Sequence, residues 1–313
     1  MIKFSIAIPA YKGQYLSEAI SSVLSQTYPN FELIIVDDCS PEDLKSIVQR
    51  FTDRRIKYYR NDANYGAINV VDNWNKCLEY SSGDYIICMG DDDRLLPCCL
   101  EEYVRLIEIY PSLNVYHAWT QIIDENSQIT RLLEPRPEFE GFYEYLYYLW
   151  MGRLQYIGDF CYRLSHLREC GGYYKLPLAW GTDDITAARA VFSKGVANTQ
   201  KVSFEYRISS ITISSSSNRT AVKLNATLDE MEWYSVLLGR INTDKLTDVD
   251  RWYYNSLLSI KEKNRRSRML SEMILSIKSD WLSFFHWFIK CSSLGIRRRD
   301  FLLSCIKRLL LHI

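Results

Sequence analysis

The 313-residue sequence contains no uninterrupted run of about 18 apolar residues, so it predicts no membrane-spanning helix. It shows no secretory leader: MIKFSIAIPAYKG has one early lysine and a short apolar run broken at Pro9, which reads as a strand. Histidine is scarce. The four copies, His117, His166, His286 and His312, have no ligand spacing, which excludes a recognisable histidine metal centre. The nine cysteines are odd in number and form neither a zinc spacing nor a disulfide pattern, adjacent Cys98 and Cys99 included. They read as free thiols of a reducing compartment, and the chain is expected in the cytoplasm. A glycine-rich phosphate loop is missing after the first strand. PAYKGQYLSEA offers only Lys12 and Gly13, which argues against a nucleotidyltransferase, the second functional reading. Net charge is missing too, with 38 Lys and Arg against 38 Asp and Glu.

What is present is ordinary for a globular chain with one or two domains: 47% apolar and 24% charged residues, with 23 tyrosines. The charge is uneven, however. Lys261 to Ile313 holds twelve Lys and Arg against four Asp and Glu, a net of +8, so the remainder carries −8. An acidic body with a basic tail points to a tail that meets an anionic surface, membrane or nucleic acid.

The first third alternates apolar strand runs with helical stripes. FSIAIPA (4–10), FELIIVDD (31–38), IKYYR (56–60) and DYIICMG (84–90) read as strands. Between them, Leu16, Ala19, Ile20, Val23 and Leu24 form a helical stripe. Ser40 is the predicted N-cap of a helix with Pro41 at its first position and Asp43 near the capping-box position. AINVVDNWNKCLEYS (67–81) and CLEEYVRLIEIY (99–110) are further helices. Strands separated by helices imply a mostly parallel, doubly covered sheet, whose ligands bind beyond the carboxyl ends of the strands. The middle is less regular: NVYHAWTQIID is one or two strands, GFYEYLYYLWMGRL an aromatic helix, and TQKVSFEYRIS a strand. The serine-rich stretch 209–218 is a loop, and the pattern is helical from Arg219 onward.

Two acidic clusters sit at predicted strand ends, Asp37–Asp38 and Asp91–Asp93, and both should open into one crevice. Three adjacent carboxylates repel one another unless a cation lies among them. The plain alternative is a solvated acidic turn, but the strand-end placement favours a metal. Asp183 and Asp184 form another pair at a helix start, where either also complements the helix dipole.

Five blocks now resemble glycosyltransferase family 2 in the expected order, over about residues 3–215. They are SIAIPAYKGQYLSEAISSVLSQTYPNFELIIVDDCSPED, NDANYGAINVVDNWN, GDYIICMGDDDRLLP, CYRLSHLRECGGY and WGTDD. The resemblance implies an α/β GT-A (Rossmann-like) fold, with a mostly parallel central sheet flanked by helices and a helical C-terminal extension. It divides the chain into a nucleotide-sugar-binding half (1–110), an acceptor-binding half (111–218) and the extension (219–313). It implies an inverting transferase that moves a sugar from a nucleoside-diphosphate sugar, UDP-sugar favoured, to a hydroxyl of a saccharide or lipid-linked acceptor. The setting implied is bacterial cell-surface polysaccharide synthesis, with no nucleic acid partner.

Residue by residue, the resemblance makes Asp38 the reader of a uracil-type imide, with Pro9, Ala10 and Tyr11 walling the base. Asn64 and Gly66 shape a nucleotide-side loop, although Gly66 also fits a simple positive-φ turn. Asp92 is the best ligand for Mn²⁺ or Mg²⁺, Asp93 a weaker one, and Asp91 reaches the ribose or metal-bound water. Many relatives carry an Asp at the position of Gly90, so the acidic pattern is shifted here. Asp183 or Asp184 is the base that deprotonates the acceptor: spacing to Arg189 favours Asp183, spacing to Gly195 favours Asp184. Trp180 either stacks on a sugar or joins the core. Arg207 is expected to pair with the diphosphate. Where relatives often carry a metal-ligating His after Tyr-Arg, this chain has Ser209 or Ser210, so the metal binds only with the nucleotide, or weakly.

The tail lies outside the resemblance. As a helix it places Leu302, Cys305, Ile306, Leu309, Leu310 and Ile313 on one face and Arg297, Ser304, Lys307 and Arg308 on the other, with aromatic WLSFFHWFIK before it. Such a helix lies on a membrane surface or packs on the protein's own body or a partner subunit. Membrane contact would place the chain peripherally on the cytoplasmic face. A non-catalytic scaffold is the third functional reading, and the intact carboxylates argue against it.

Overall fold

The computed structural model describes residues 1–209 and 219–310. The serine-rich stretch from Ser210 to 218 and Ile313 lie outside the described residues, as do the side chains of Arg308, Leu309 and Leu310. The chain forms two compact units, Met1–Ser210 and Ile211–Ile313.

The first unit is α/β. Its strands are β1 (Phe4–Ala10), β2 (Phe31–Asp37), β3 (Ile56–Arg60), β4 (Tyr85–Cys88), β5 (Arg94–Leu95), β6 (Val115–Ile123), β7 (Ile129–Leu132), β8 (Phe139–Glu140), β9 (Phe160–Arg163) and β10 (Val196–Arg207). Its helices are α1 (Leu16–Leu24), α2 (Leu44–Val48), α3 (Val70–Tyr80), α4 (Cys99–Ile109), α5 (Phe142–Trp150), α6 (Leu164–Glu169) and α7 (Thr182–Val191). All strands share one sheet, in the order β3-β2-β1-β4-β9-β6-β10-β5, with β7 beside β6 and β8 beside β10.

The first four strands pair in parallel, as the alternation of strand and helix predicts. Beyond them the sheet is mixed. Strand β9 runs antiparallel to both β4 and β6, whereas β6 and β10 pair in parallel. The two halves read from the sequence therefore share one continuous sheet. The C-terminal ends of β1, β2, β4, β6 and β10 and the N-terminal end of β9 fall on one edge, where the acidic clusters emerge.

Every residue of β2 is buried, the signature of a strand covered on both faces. Ile6, Ile8, Leu33, Ile35 and Ile87 pack with Leu16, Ala19, Ile20 and Val23 of α1 and with Leu100, Tyr103 and Leu106 of α4. Each of the Leu, Ile and Val side chains contributes roughly 1.5–3 kcal/mol through burial. On the other face, α3 packs against β1 and β2. All nine cysteines are unpaired.

A buried carboxylate fixes the opposite end of β2. Glu32 accepts hydrogen bonds from Ser5 Oγ (2.7 Å), the Ser82 backbone N–H (2.7 Å) and Lys57 Nζ (2.7 Å), tying β1, β3 and the turn before β4 together. Burial alone would raise its pKa, but the hydrogen bonds from Lys57, Ser5 and Ser82 outweigh it and hold the group down to about 2, against 4.5 when unfolded. Because the folded value is depressed, the stabilisation is complete above pH 4.5 and is lost as pH falls towards 2. Urea unfolding should show Glu32→Gln losing about 3 kcal/mol at neutral pH, with the gap to the parent protein closing in that acid window.

One predicted cap moves. Helix α2 begins at Leu44 and is capped by Asp43, whose carboxylate accepts the Ser46 backbone N–H at 3.1 Å. Ser40 instead donates to Tyr11 O at 2.6 Å and accepts the Glu42 N–H. Cys39 adopts a left-handed φ of 51°, and Asp37 Oδ1 takes the Ser40 N–H at 2.7 Å, so the chain turns before a helix can start.

The second unit is helical, as patterned: α8 (Thr220–Gly239), α9 (Asp248–Ser279), α10 (Ser283–Lys290) and α11 (Arg298–Leu310). Leu224, Met269, Met273, Trp287, Cys291, Ile296 and Phe301 form its core. Arg268 bonds buried Glu230 through both guanidinium ends, at 2.8 and 2.7 Å, joining α9 to α8. Among the described residues no helix is long and apolar enough to cross a membrane.

Candidate active site

The chain leaving β1 is the centre of the site. At Ala10 its carbonyl accepts the Asp38 backbone N–H (2.9 Å), and the Tyr11 carbonyl accepts Ser40 Oγ. From the other side, Asp91 Oδ2 accepts the Tyr11 and Lys12 backbone N–H groups at 2.7 and 2.8 Å. The segment after β2 thus holds Ala10 and Tyr11, the carboxylate after β4 holds Tyr11 and Lys12, and the two meet at Tyr11. Pro9, Ala10 and Tyr11 line this junction, with Tyr11 exposed.

Asp38 is buried. Its Oδ1 accepts from Asn61 Nδ2 (2.9 Å) and the Tyr65 N–H (3.1 Å), and among the described residues no side chain or backbone group donates to Oδ2. The loop that supplies Tyr65 folds on itself: Asn64 Oδ1 accepts the Gly66 N–H, and Gly66 takes φ +73°, which an L side chain disfavours. Asp37 differs. Its carboxylate is occupied by the Ser40 N–H, Tyr58 and Arg60, and it holds the turn in place.

The three acids after β4 divide into separate tasks. Burial and the neighbouring Asp92 carboxylate push Asp91 up to about 6, against the two backbone N–H donors. Asp92 is raised by burial, against the pull of Lys12 and Arg207. Among the described residues, no other residue donates to its carboxylate; its own backbone N–H does. Asp93 is turned inward: Oδ1 accepts the Arg207 N–H (3.0 Å) and Oδ2 the Gly90 N–H (3.2 Å), pinning β4 to β10. Burial, with Asp92 beside it, raises its pKa well above the usual carboxylate range. A Cβ on Gly90 would stand 2.8 Å from both Asp92 Oδ1 and Asp93 Oδ2. Glycine here makes room for the two carboxylates to approach each other.

These groups suit a hard divalent cation: they are oxygen donors, crowded and reluctant to ionise together. No cluster of three or more His, Cys, Asp or Glu side chains stands ready for a metal among the described residues.

Arg207 overturns its expected role. It is fully buried, and its guanidinium is committed to the Asp92 carbonyl (2.8 Å), the Asp124 carbonyl (2.9 Å), Ser127 Oγ (3.0 Å) and Glu18 (2.9 Å), stacked 4.1 Å over Tyr15. It braces the acidic loop rather than facing a diphosphate. Arg207→Lys should lower unfolding free energy by about 3 kcal/mol, the cost of breaking buried charge-assisted bonds. Calorimetry on the folded fraction should show UDP affinity unchanged. Ser209, at the expected histidine position, is buried, and Ser210 lies outside the described residues.

Asp183 and Asp184 open α7. The residues before it adopt left-handed backbone: Leu178 at φ 62°, Ala179 at 53° and Gly181 at 85°, with Trp180 half-buried among them. Asp184 turns towards the interior, where Gln155 Nε2 donates to its Oδ1 at 2.8 Å and also contacts Tyr145 OH at 2.8 Å. Asp183 Oδ1 accepts the Asp184 N–H.

Sequence reasoning missed Tyr156. Its ring stacks on Tyr206 at 3.6 Å and 6°. Its phenol is held in its neutral form by burial, then by Asp159, and also by the Asp93 and Asp183 carboxylates. Of the acids in the loop after β4 and at the start of α7, Asp93 and Asp183 are the two that act on it. Gln155 was missed as well. Nothing but an aromatic helix followed by a turn marks either residue in the sequence.

The sequence model described as "Glycosyl transferase family 2" matches residues 5–168. The chain is 32% identical over 133 residues to the Escherichia coli UDP-Glc:alpha-D-GlcNAc-diphosphoundecaprenol beta-1,3-glucosyltransferase WfgD, covering 42% of this chain and 51% of that protein. It is 38% identical over 108 residues to the Campylobacter jejuni GalNAc(5)-diNAcBac-PP-undecaprenol beta-1,3-glucosyltransferase, covering 34% of each. The chain thus spans about half the length of the first relative and a third of the second. In fold it is similar to S. aureus TarS 1-349 in complex with UDP-GlcNAc, at a TM-score of 0.59 and 16% identity, covering 88% of this chain and 87% of that one.

Proposed function

Because this chain belongs to glycosyl transferase family 2, we propose that it is an inverting transferase. It moves a sugar from a nucleoside-diphosphate sugar, UDP-sugar favoured, to a hydroxyl of a saccharide or lipid-linked acceptor, with Mn²⁺ or Mg²⁺ assisting. The observation that carries this reading is the grip on the β1 exit by Asp38 and Ser40 from one side and Asp91 from the other. The names of the two relatives, both acting on undecaprenol-linked sugars, support a lipid-linked acceptor, and a further relative named for colanic acid biosynthesis in Escherichia coli supports bacterial polysaccharide synthesis.

In this reading Asp38 Oδ2 accepts the imide N–H of the base, Pro9, Ala10 and Tyr11 wall it, and Asn64 and Gly66 hold the loop over it. Asp92 holds the cation and Asp91 the ribose or a metal-bound water, while Asp93 anchors the loop that carries them. The cation, when bound, offsets the charge that develops on the diphosphate as the sugar–phosphate bond breaks. Asp183 removes the acceptor proton as the hydroxyl oxygen attacks the anomeric carbon, and the nucleoside diphosphate leaves with the bonding electrons. Asp184, held by Gln155, orients the start of α7. Trp180 and the Tyr156–Tyr206 pair supply faces on which a sugar can rest and from which water is excluded.

Turnover of a UDP-sugar panel with and without Mn²⁺ tests the proposal. Release of UDP and free sugar, or transfer to an added acceptor, supports it. Pyrophosphate release would point to a nucleotidyltransferase, and no turnover with any donor to a scaffold.

A further inference from the structure

We propose that the helical unit carries a docking patch for an anionic lipid surface, built from the outward side of α10 and the start of α11. Trp281, Leu282, Phe285 and Ile289 are between 55% and 67% exposed. Their spacing places them on one side of α10 and the turn leading into it. The Trp281 and Phe285 rings pair at 5.9 Å, so the stripe presents an aromatic edge to solvent. It is not the core side of the helix. Phe284, Trp287 and Phe288 take that side, packed with Phe301 of α11. Helix α10 is thus apolar on two sides, and its own unit covers one.

Helix α11 divides in the same way, and here the structure amends the tail stripe read from the sequence. Cys305, like Phe301, is buried in the unit's core, whereas Leu302, Leu303 and Ile306 are exposed. Eight residues of α10 and thirteen of α11 are too few to span a bilayer, so such helices lie in its surface plane.

Charge selects the occupant. Between Trp281 and Lys307 the basic residues are Lys290, Arg297, Arg298, Arg299 and Lys307, all exposed, and the sole acid is Asp300. Asp300 is itself paired with Arg297 at 2.9 Å. Arg298 sits over the Phe288 ring at 5.3 Å, which brings the basic start of α11 to α10. A second copy docked patch to patch would set these cations against their equals. An acidic headgroup layer over acyl chains offers both the counter-charge and the apolar phase. The patch is independent of the donor and base assignments, and its test leaves them untouched.

The full chain should float with vesicles of phosphatidylcholine mixed with phosphatidylglycerol, poorly with phosphatidylcholine alone, and less as salt rises. Trp281→Ser with Phe285→Ser should abolish flotation. Arg299→Glu and Lys307→Glu should each weaken it about fivefold or more. All four side chains are exposed, so circular dichroism should report native helix content, and UDP-sugar turnover in detergent-free buffer should be unchanged. Equal flotation with neutral vesicles, or flotation untouched by the aromatic changes, would overturn the proposal. So would a concentration-dependent dimer that the aromatic changes dissolve.

Discussion

Asp92→Ala is expected to fold normally and to lose about a thousandfold of its transfer rate, the scale on which a single preorganised charge contact to a leaving group acts. The two halves of that expectation come from different bonds. Arg207 reaches Asp92 only through the backbone carbonyl, which alanine retains. No other described residue donates to the Asp92 carboxylate, so its removal orphans no donor but the residue's own backbone N–H. The side chain is held beside Asp91 and Asp93 at a cost visible in their raised pKa values, and that cost makes sense if a cation enters the cluster. Calorimetry should show UDP binding to the parent protein strengthened by Mn²⁺ and binding to the variant indifferent to it. Full turnover by Asp92→Ala would remove the metal from the mechanism. Asp91→Ala is a poorer experiment, because it also strips the Tyr11 and Lys12 N–H groups of their acceptor.

Asp183→Asn should reduce transfer by roughly 10²- to 10⁴-fold, the range for loss of a positioned general base. Asp184→Asn should change it little. The asymmetry rests on direction: Asp184 is engaged by Gln155 below the surface, and asparagine keeps an oxygen to accept that bond, whereas an amide at 183 cannot take a proton from the acceptor. Asparagine at 183 also preserves the acceptor for the Asp184 N–H, so unfolding curves should overlay those of the parent. Steady-state kinetics should place the loss in kcat rather than in the KM for the donor. If Asp184→Asn falls and Asp183→Asn does not, the two roles exchange.

Period and punctuation made much of the first unit legible. The α1 stripe and the continuous apolar run of β2 state their burial outright, and the acids at strand ends follow from parallel topology. Other features depended on long-range partners that a linear reading does not contain. Arg207 follows a tyrosine at a strand end and looks available, yet Glu18, the Asp92 carbonyl and the Asp124–Ser127 turn enclose it from three distant segments. Asp93 looks equivalent to Asp92 until the N–H groups of Gly90 and Arg207 claim it. Ser40-Pro41 has the form of a helix start, but the preceding Asp37 and a left-handed Cys39 draw Ser40 into the turn. The antiparallel insertion of β9 could not be inferred either, because its four residues carry no register signal. That insertion delivers Gln155 and Tyr156 to the site.

The left-handed residues ahead of α7 carry a consequence for how this protein can diverge. Leu178 and Ala179 each occupy a well that costs an L residue about 1 kcal/mol, so the surrounding packing must supply that conformational tension. At half-buried Ala179 glycine, asparagine or aspartate would relieve it, whereas Leu178 is buried and must also keep its apolar packing; valine, isoleucine or threonine at either position would tilt the first turn that presents the acids. Sequence change at the turn preceding the α7 acids is thereby confined to a narrow alphabet, whereas exposed surface positions elsewhere carry no such backbone constraint.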